Sequence, residues 1–113
     1  MQAVGTTGEK HTRNTLSLLN VGFREALTWR DPDEAHLEAQ LLTPLLGSDP
    51  VEMGMSEALL VRRLEGADLY PPLFAAAFPG ESAPITLHNV SLALASFQRT
   101  IVGGDTPYDR HLL

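Results

Sequence analysis

Helical spacing is the feature that most narrows what this chain can fold into. Apolar residues recur three and four positions apart, in runs cut short by Pro and Gly, and no β-branched alternating run appears. Val90, Leu94, Phe97 and Ile101 fall at i, i+4, i+7 and i+11, which predicts a core stripe on a helix from Thr86 to about Val102. Leu37, Leu41, Leu42 and Leu45 form a second stripe behind Asp33, a good N-cap residue. A helix is therefore expected from about Glu34 to Leu46, with Pro44 bending it or ending it early. Ser56 opens a third helix over Glu57 to Glu65, closed by Gly66. Asp68 is placed as the cap of a fourth, with Pro71 and Pro72 in its first turn and Leu73, Phe74, Ala77 and Phe78 as its buried face. Asn14 or Thr15 is expected to cap a short helix carrying Leu16, Leu18 and Leu19, and a last turn to start in the segment Asp105 to Asp109.

The fold class is thus all-α, a compact bundle of about five short helices in one domain over residues 1–113, with residues 1–13 a flexible arm or extended loop. Short connections favour antiparallel neighbours. A chain of 113 residues hides roughly 60–70% of its unfolded surface, enough for one modest core.

Composition excludes several function classes. The net charge of −6 argues against a nucleic-acid backbone or an anionic membrane as partner, since both need clustered Lys and Arg. There is no Cys, so the chain offers no disulfide, thiolate nucleophile, Cys-ligated zinc or thioether bond to a haem. His11, His36, His88 and His111 are scattered, and no pair has helical ligand spacing for a dedicated metal site. No phosphate-loop, Gly-x-Ser-x-Gly or Ser-x-x-Lys pattern occurs. The first residues lack a basic start and an apolar run, and no segment is long and apolar enough to span a bilayer, so the chain as written is expected in the cytoplasm.

The stretch from Thr28-Trp29-Arg30-Asp31-Pro32 to Pro50-Val51-Glu52-Met53-Gly54 joins a lone Trp, an amphipathic helix and a Glu in a Pro/Gly-rich loop. Trp29 has a plain reading as a buried aromatic, and Glu52 as a loop carboxylate or helix cap. Four segments in order carry a sharper one: Arg13-Asn14-Thr15-Leu16-Ser17-Leu18-Leu19-Asn20-Val21; Leu27-Thr28-Trp29; Leu37-Glu38-Ala39-Gln40 leading to Pro50-Val51-Glu52-Met53-Gly54; and Phe97-Gln98-Arg99-Thr100-Ile101-Val102 with Pro107-Tyr108-Asp109-Arg110. Together they resemble the N-terminal, peroxidatic half of di-haem cytochrome c peroxidases, including the MauG-like branch.

The resemblance implies a role for each matching position. Trp29 corresponds to the Trp between the two haems that relays electrons. Glu52 corresponds to the distal-pocket acid/base of peroxide cleavage. Gln40 and Pro44 correspond to other distal-pocket residues, with a slightly longer loop from Gln40 to Glu52, and Asn14 to a ligand of the calcium between the haem domains. The segment after Trp29 departs from the commoner Trp-Asp-Gly-Arg pattern. The family's haem-attachment motif, Cys-x-x-Cys-His, is missing, because the chain has no Cys. The expectation is therefore a cofactor-less relic or fragment: no cofactor of its own, haem and calcium belonging to the family, vestigial Glu52, Gln40, Trp29 and Asn14, and no catalysis alone. Two other readings stand beside it, a haem-dependent part completed by missing segments or non-covalent haem, and a helical interaction module. Helix faces that the family packs around haem and further segments would lie open here, so a homodimer through them is expected.

Overall fold

The computed structural model describes residues 2–11, 14–28, 34–104 and 107–112. Among them every regular element is helical: a 3-10 turn at Val21–Phe23, then α1 (Leu37–Gln40), α2 (Leu42–Leu46), α3 (Glu57–Glu65), α4 (Tyr70–Ala77), α5 (Leu87–Arg99) and α6 (Pro107–Leu112). The class is all-α, as the periodicity requires. No described helix is long and apolar enough to cross a membrane.

Caps explain several boundaries. The Ser56 hydroxyl accepts from the Leu59 N–H at 3.3 Å and starts α3, and Thr86 accepts from Asn89 N–H at 3.1 Å and starts α5. The predicted helix over 34–46 is two pieces, because Pro44 has no N–H to donate to the Gln40 carbonyl and its ring crowds that oxygen. The first piece begins only at Leu37; Asp33, its expected cap, lies outside the described residues. Segment 14–18 is not helical, contrary to the expected short helix, and the first turn of helix appears at Val21. Its leucines are spaced for no single face, so no tertiary surface holds the segment helical.

α5 packs against α1, α3 and the 3-10 turn and joins two apolar clusters. Ala95, at 0% exposure, sits with Val21, Leu27, Leu37 and Leu41. Val90 sits with Leu60, Phe74 and Ile85, and half-buried Val61, Leu64, Phe78 and Leu87 pack around them. The Phe74 and Phe78 rings stack with centroids 5.9 Å apart. The face of α5 that turns inward is Ser91, Ala95 and Gln98 beside Val90; the expected stripe fails beyond Val90, with Phe97 63% exposed, and the helix ends at Arg99. On α4, Phe74 is buried as expected, but Leu73 and Ala77 are exposed and Leu69 rather than Asp68 holds the cap position. The molecule exposes 8281 Å², well above the roughly 6,100 Å² typical of a folded monomer of 12.3 kDa.

Two polar clamps tie distant segments to α5. Asn20 has φ 58°, a left-handed conformation that Asn tolerates. Its backbone N–H donates to Ile101 O at 2.9 Å, its side-chain amide donates to Gly103 O, and its side-chain oxygen accepts from Gly103 N–H, both at 2.9 Å. Arg99 donates to both oxygens of Glu38 at 2.7 and 3.2 Å, linking α5 to α1, and its stem lies beside Gly22, where a Cβ would meet Arg99 Cγ at 3.4 Å.

Both clamps make predictions. Asn20→Ala removes two hydrogen bonds at a left-handed position and is expected to lower unfolding stability by about 2–3 kcal/mol in urea titrations, with Asn20→Asp losing less. The Arg99 guanidinium holds the Glu38 carboxyl below its ordinary value of 4.5. A group depressed in the folded state stabilises above its unfolded pKa and loses that contribution as pH falls through the folded one. The urea midpoint should therefore fall on acidification below about pH 4.5, and Glu38→Gln should flatten that part of the curve.

Candidate functional site

The residues singled out by resemblance divide into those the fold brings together and those it does not. Gln40 is the last residue of α1, half-buried, with its backbone N–H bonded to His36 O at 2.9 Å. Pro44 follows one turn later in α2, and Leu41 between the helices keeps right-handed helical angles, so Gln40 and Pro44 stand one above the other. After α2 the chain turns through Ser48, Asp49 and Pro50, closed by a bridge between Ser48 and Val51, and runs back along α2. Met53 N–H donates to Pro44 O and Met55 N–H to Leu45 O, each at 3.0 Å. Half-buried Glu52 is thereby held beside the turn that carries Pro44 and Gln40.

A second element holds the same loop from outside. Residues 3–11 close a small hairpin, with a bridge between Val4 and Lys10, His11 N–H donating to Ala3 O at 2.8 Å, and Gly8 at φ 85° in the turn. Thr6 N–H donates to Glu52 O at 2.8 Å. Gly5 lies so close to Val51 that a Cβ would collide with the Val51 carbonyl oxygen. Gly54, at φ 59°, follows with the Thr6 hydroxyl 3.1 Å from where its Cβ would be. This hairpin falls within residues 1–13, the segment expected as an arm or extended loop. Its signal was available in Gly5 and Gly8 flanking two Thr, which is turn chemistry. The Glu52 peptide is thus fixed on two sides, by α2 and by the hairpin, and its side chain is half-buried.

The other candidates are dispersed. Trp29 lies outside the described residues. Asn14 is exposed, ahead of half-buried Leu16. His11 is half-buried on the hairpin, while His36, His88 and His111 are exposed. No group of three or more His, Asp or Glu placed to hold a metal occurs among the described residues.

Comparison with known proteins bears on this arrangement. The sequence is 42% identical over 112 residues to the methylamine utilization protein MauG of Methylorubrum extorquens, covering 99% of this chain and 31% of that protein. It is 31% identical over 110 residues to the cytochrome c551 peroxidase of Pseudomonas aeruginosa, again 31% of that protein. Among solved structures, a MauG-like protein associated with microbial copper homeostasis superposes with a TM-score of 0.90 at 40% identity, over 98% of this chain and 33% of that one. The chain therefore spans about a third of the length of these relatives. The family described as di-haem cytochrome c peroxidase matches residues 1–113 from end to end, and the chain belongs to that family.

Proposed function

We propose that this chain is the distal wall and helical scaffold of a peroxidatic haem pocket, without catalysis of its own, and that it self-associates through its open apolar surface. The observation that supports this most directly is the double anchoring of the Glu52 peptide beside Pro44 and Gln40. Three positions that the family resemblance places around a haem's distal face share one loop-helix unit. Proline keeps the wall rigid, the Gln40 amide can donate and accept hydrogen bonds, and the Glu52 carboxylate can take a proton and return it. A bound haem supplies the iron and its redox chemistry. These residues fit its distal side. The attachment side is another matter, because a chain with no Cys forms no thioether to the macrocycle. The half-buried Glu52 therefore has no reacting group that this chain itself holds, and acid/base work there needs one supplied from outside.

A haemin titration of the purified chain, followed by Soret absorbance, tests this. The expected result is no saturable one-to-one transition, with the same weak spectrum for Glu52→Gln and for His11→Ala, His36→Ala, His88→Ala and His111→Ala. Saturable binding abolished by a single His→Ala change would replace the scaffold reading with that of a non-covalent haem protein, and peroxide turnover sensitive to Glu52→Gln would then be measurable.

A further inference from the structure

Glu52 sits between two peptide units, and consecutive residues of the hairpin meet both. The unit that joins Glu52 to Met53 is planar, so its carbonyl and its N–H leave opposite edges of one rigid plate. Its N–H, on Met53, donates to Pro44 O at 3.0 Å, and its carbonyl, on Glu52, accepts from Thr6 N–H at 2.8 Å. One such bond leaves a plate free to pivot. Two bonds on opposite edges fix its tilt, and with it the backbone angle at Glu52 that aims Cβ. The unit that joins Val51 to Glu52 meets Gly5: a Cβ on Gly5 would collide with the Val51 carbonyl oxygen and would lie 3.4 Å from Glu52 O. The hairpin reaches this point with its own groups already paired. Gly5 N–H donates to Glu9 O and Gly5 O accepts from Gly8 N–H, both at 3.0 Å, so Thr6 N–H is left to face the loop. The loop makes room in return, since Gly54 at φ 59° has no side chain where one would lie 3.1 Å from the Thr6 hydroxyl.

We propose that Gly5 and Thr6 are positioning residues for the Glu52 carboxylate. The hairpin holds both peptide units that flank Glu52 and so selects the direction its side chain takes at the wall shared with Gln40 and Pro44. The assignment rests on the reading of Glu52 as a proton-handling group of that wall, and adds the means by which the carboxylate is aimed. Helix α2 does not do this by itself. Its bonds go to the N–H groups of Met53 and Met55, both after the Glu52 Cα, and the bridge between Ser48 and Val51 closes the turn before it. The hairpin in turn does little for the core: no residue from 2 to 11 is buried, and none belongs to either apolar cluster. A segment of that kind can loosen locally while the helices stay folded, so its effect on Glu52 is separable from any effect on the fold.

NMR spectroscopy of the intact chain tests this without haem. In the wild type, Thr6 N–H should show a through-hydrogen-bond coupling to the Glu52 carbonyl carbon, and the three-bond couplings of Glu52 should report one dominant χ1 rotamer. Gly5→Ala should abolish the first and bring the Glu52 couplings to the averaged values of a free side chain. It should also speed hydrogen exchange at the Met53 amide by roughly fivefold or more, because the plate can then pivot. Thr6→Pro removes the donor and should have the same three effects. Thr6→Val keeps the N–H and the branched shape, and should match the wild type in all three. Amides of α3 and α5 should keep their exchange rates in every variant. Averaged Glu52 couplings in the wild type, or couplings unchanged by Gly5→Ala and Thr6→Pro, would overturn the assignment. Loss of protection across α5 would overturn it too, by making the hairpin a support of the fold rather than of one carboxylate. The haemin titration reports on the wall and these couplings on the direction of Glu52, so either reading can fail while the other stands.

Discussion

The packing of α5 on α1 through Ala95 is the contact on which the rest depends. A side chain of one carbon lets the helices approach closely, and Leu37 and Leu41 of α1 close over it. That approach brings Glu38 within reach of Arg99 and sets the 3-10 turn against the end of α5, where Asn20 grips the strand-like segment 101–103. The Glu38–Arg99 pair is partly exposed, so it adds direction rather than bulk energy. Remove the close approach and neither clamp has a partner. The N-terminal half of α5 then carries a second, separate cluster with α3 and α4, so one helix transmits order from the α1 side to the α4 side.

The same packing explains where sequence reasoning held and where it slipped. Caps and stops are local chemistry: Ser56 and Thr86 each act through a backbone N–H three residues on, and Pro44 through the N–H it lacks, so all three were legible. Burial is not local. The stripe Val90, Leu94, Phe97 and Ile101 is the more hydrophobic one, yet the helix buries Ser91, Ala95 and Gln98, with Ala95 against Leu37 and Leu41, and leaves Phe97 outside. Small and polar residues win that face because it is where helices cross. Asn89, in the first turn of α5, shows how a buried polar group is accommodated: it donates to Glu81 Oε2 at 2.8 Å and to Pro84 O at 2.9 Å. Gln98 Oε1, also buried, has no such partner among the described residues, a desolvation cost of about 1–3 kcal/mol.

The site was legible in a different way. No periodicity points to Glu52, whose neighbours Pro50 and Gly54 read as loop and nothing more. Likeness to a family singled it out, and the fold then supplied the physical content, by returning the loop along α2 so that Glu52, Pro44 and Gln40 share one neighbourhood. The hairpin at residues 3–11 was missed because its order comes from pairing with that loop and with itself, through backbone groups that every residue owns. Identity matters at Gly5, where any side chain would strike Val51, and at Gly8, whose φ of 85° side chains rarely adopt.

Exposed apolar faces and a buried acceptor without a partner occur together among the described residues. In a larger body, the outer faces of α4 and α5 and the far side of Gln98 have further surface available to meet. The two-sided character of α4 bears on what can cover it here. An inner stripe of Phe rings already satisfies the cluster with Leu60 and Val90. The outer stripe of Leu69, Pro72, Leu73 and Ala76 therefore adds nothing to the fold of one chain, and water around it is unfavourable by about 25 cal/mol for each Å² left bare. On α5, Leu94 and Phe97 are also exposed, while Ala95 between them is buried. The α4 stripe carries no charge, whereas the α5 surface lies beside Arg99 and the Asn20 clamp.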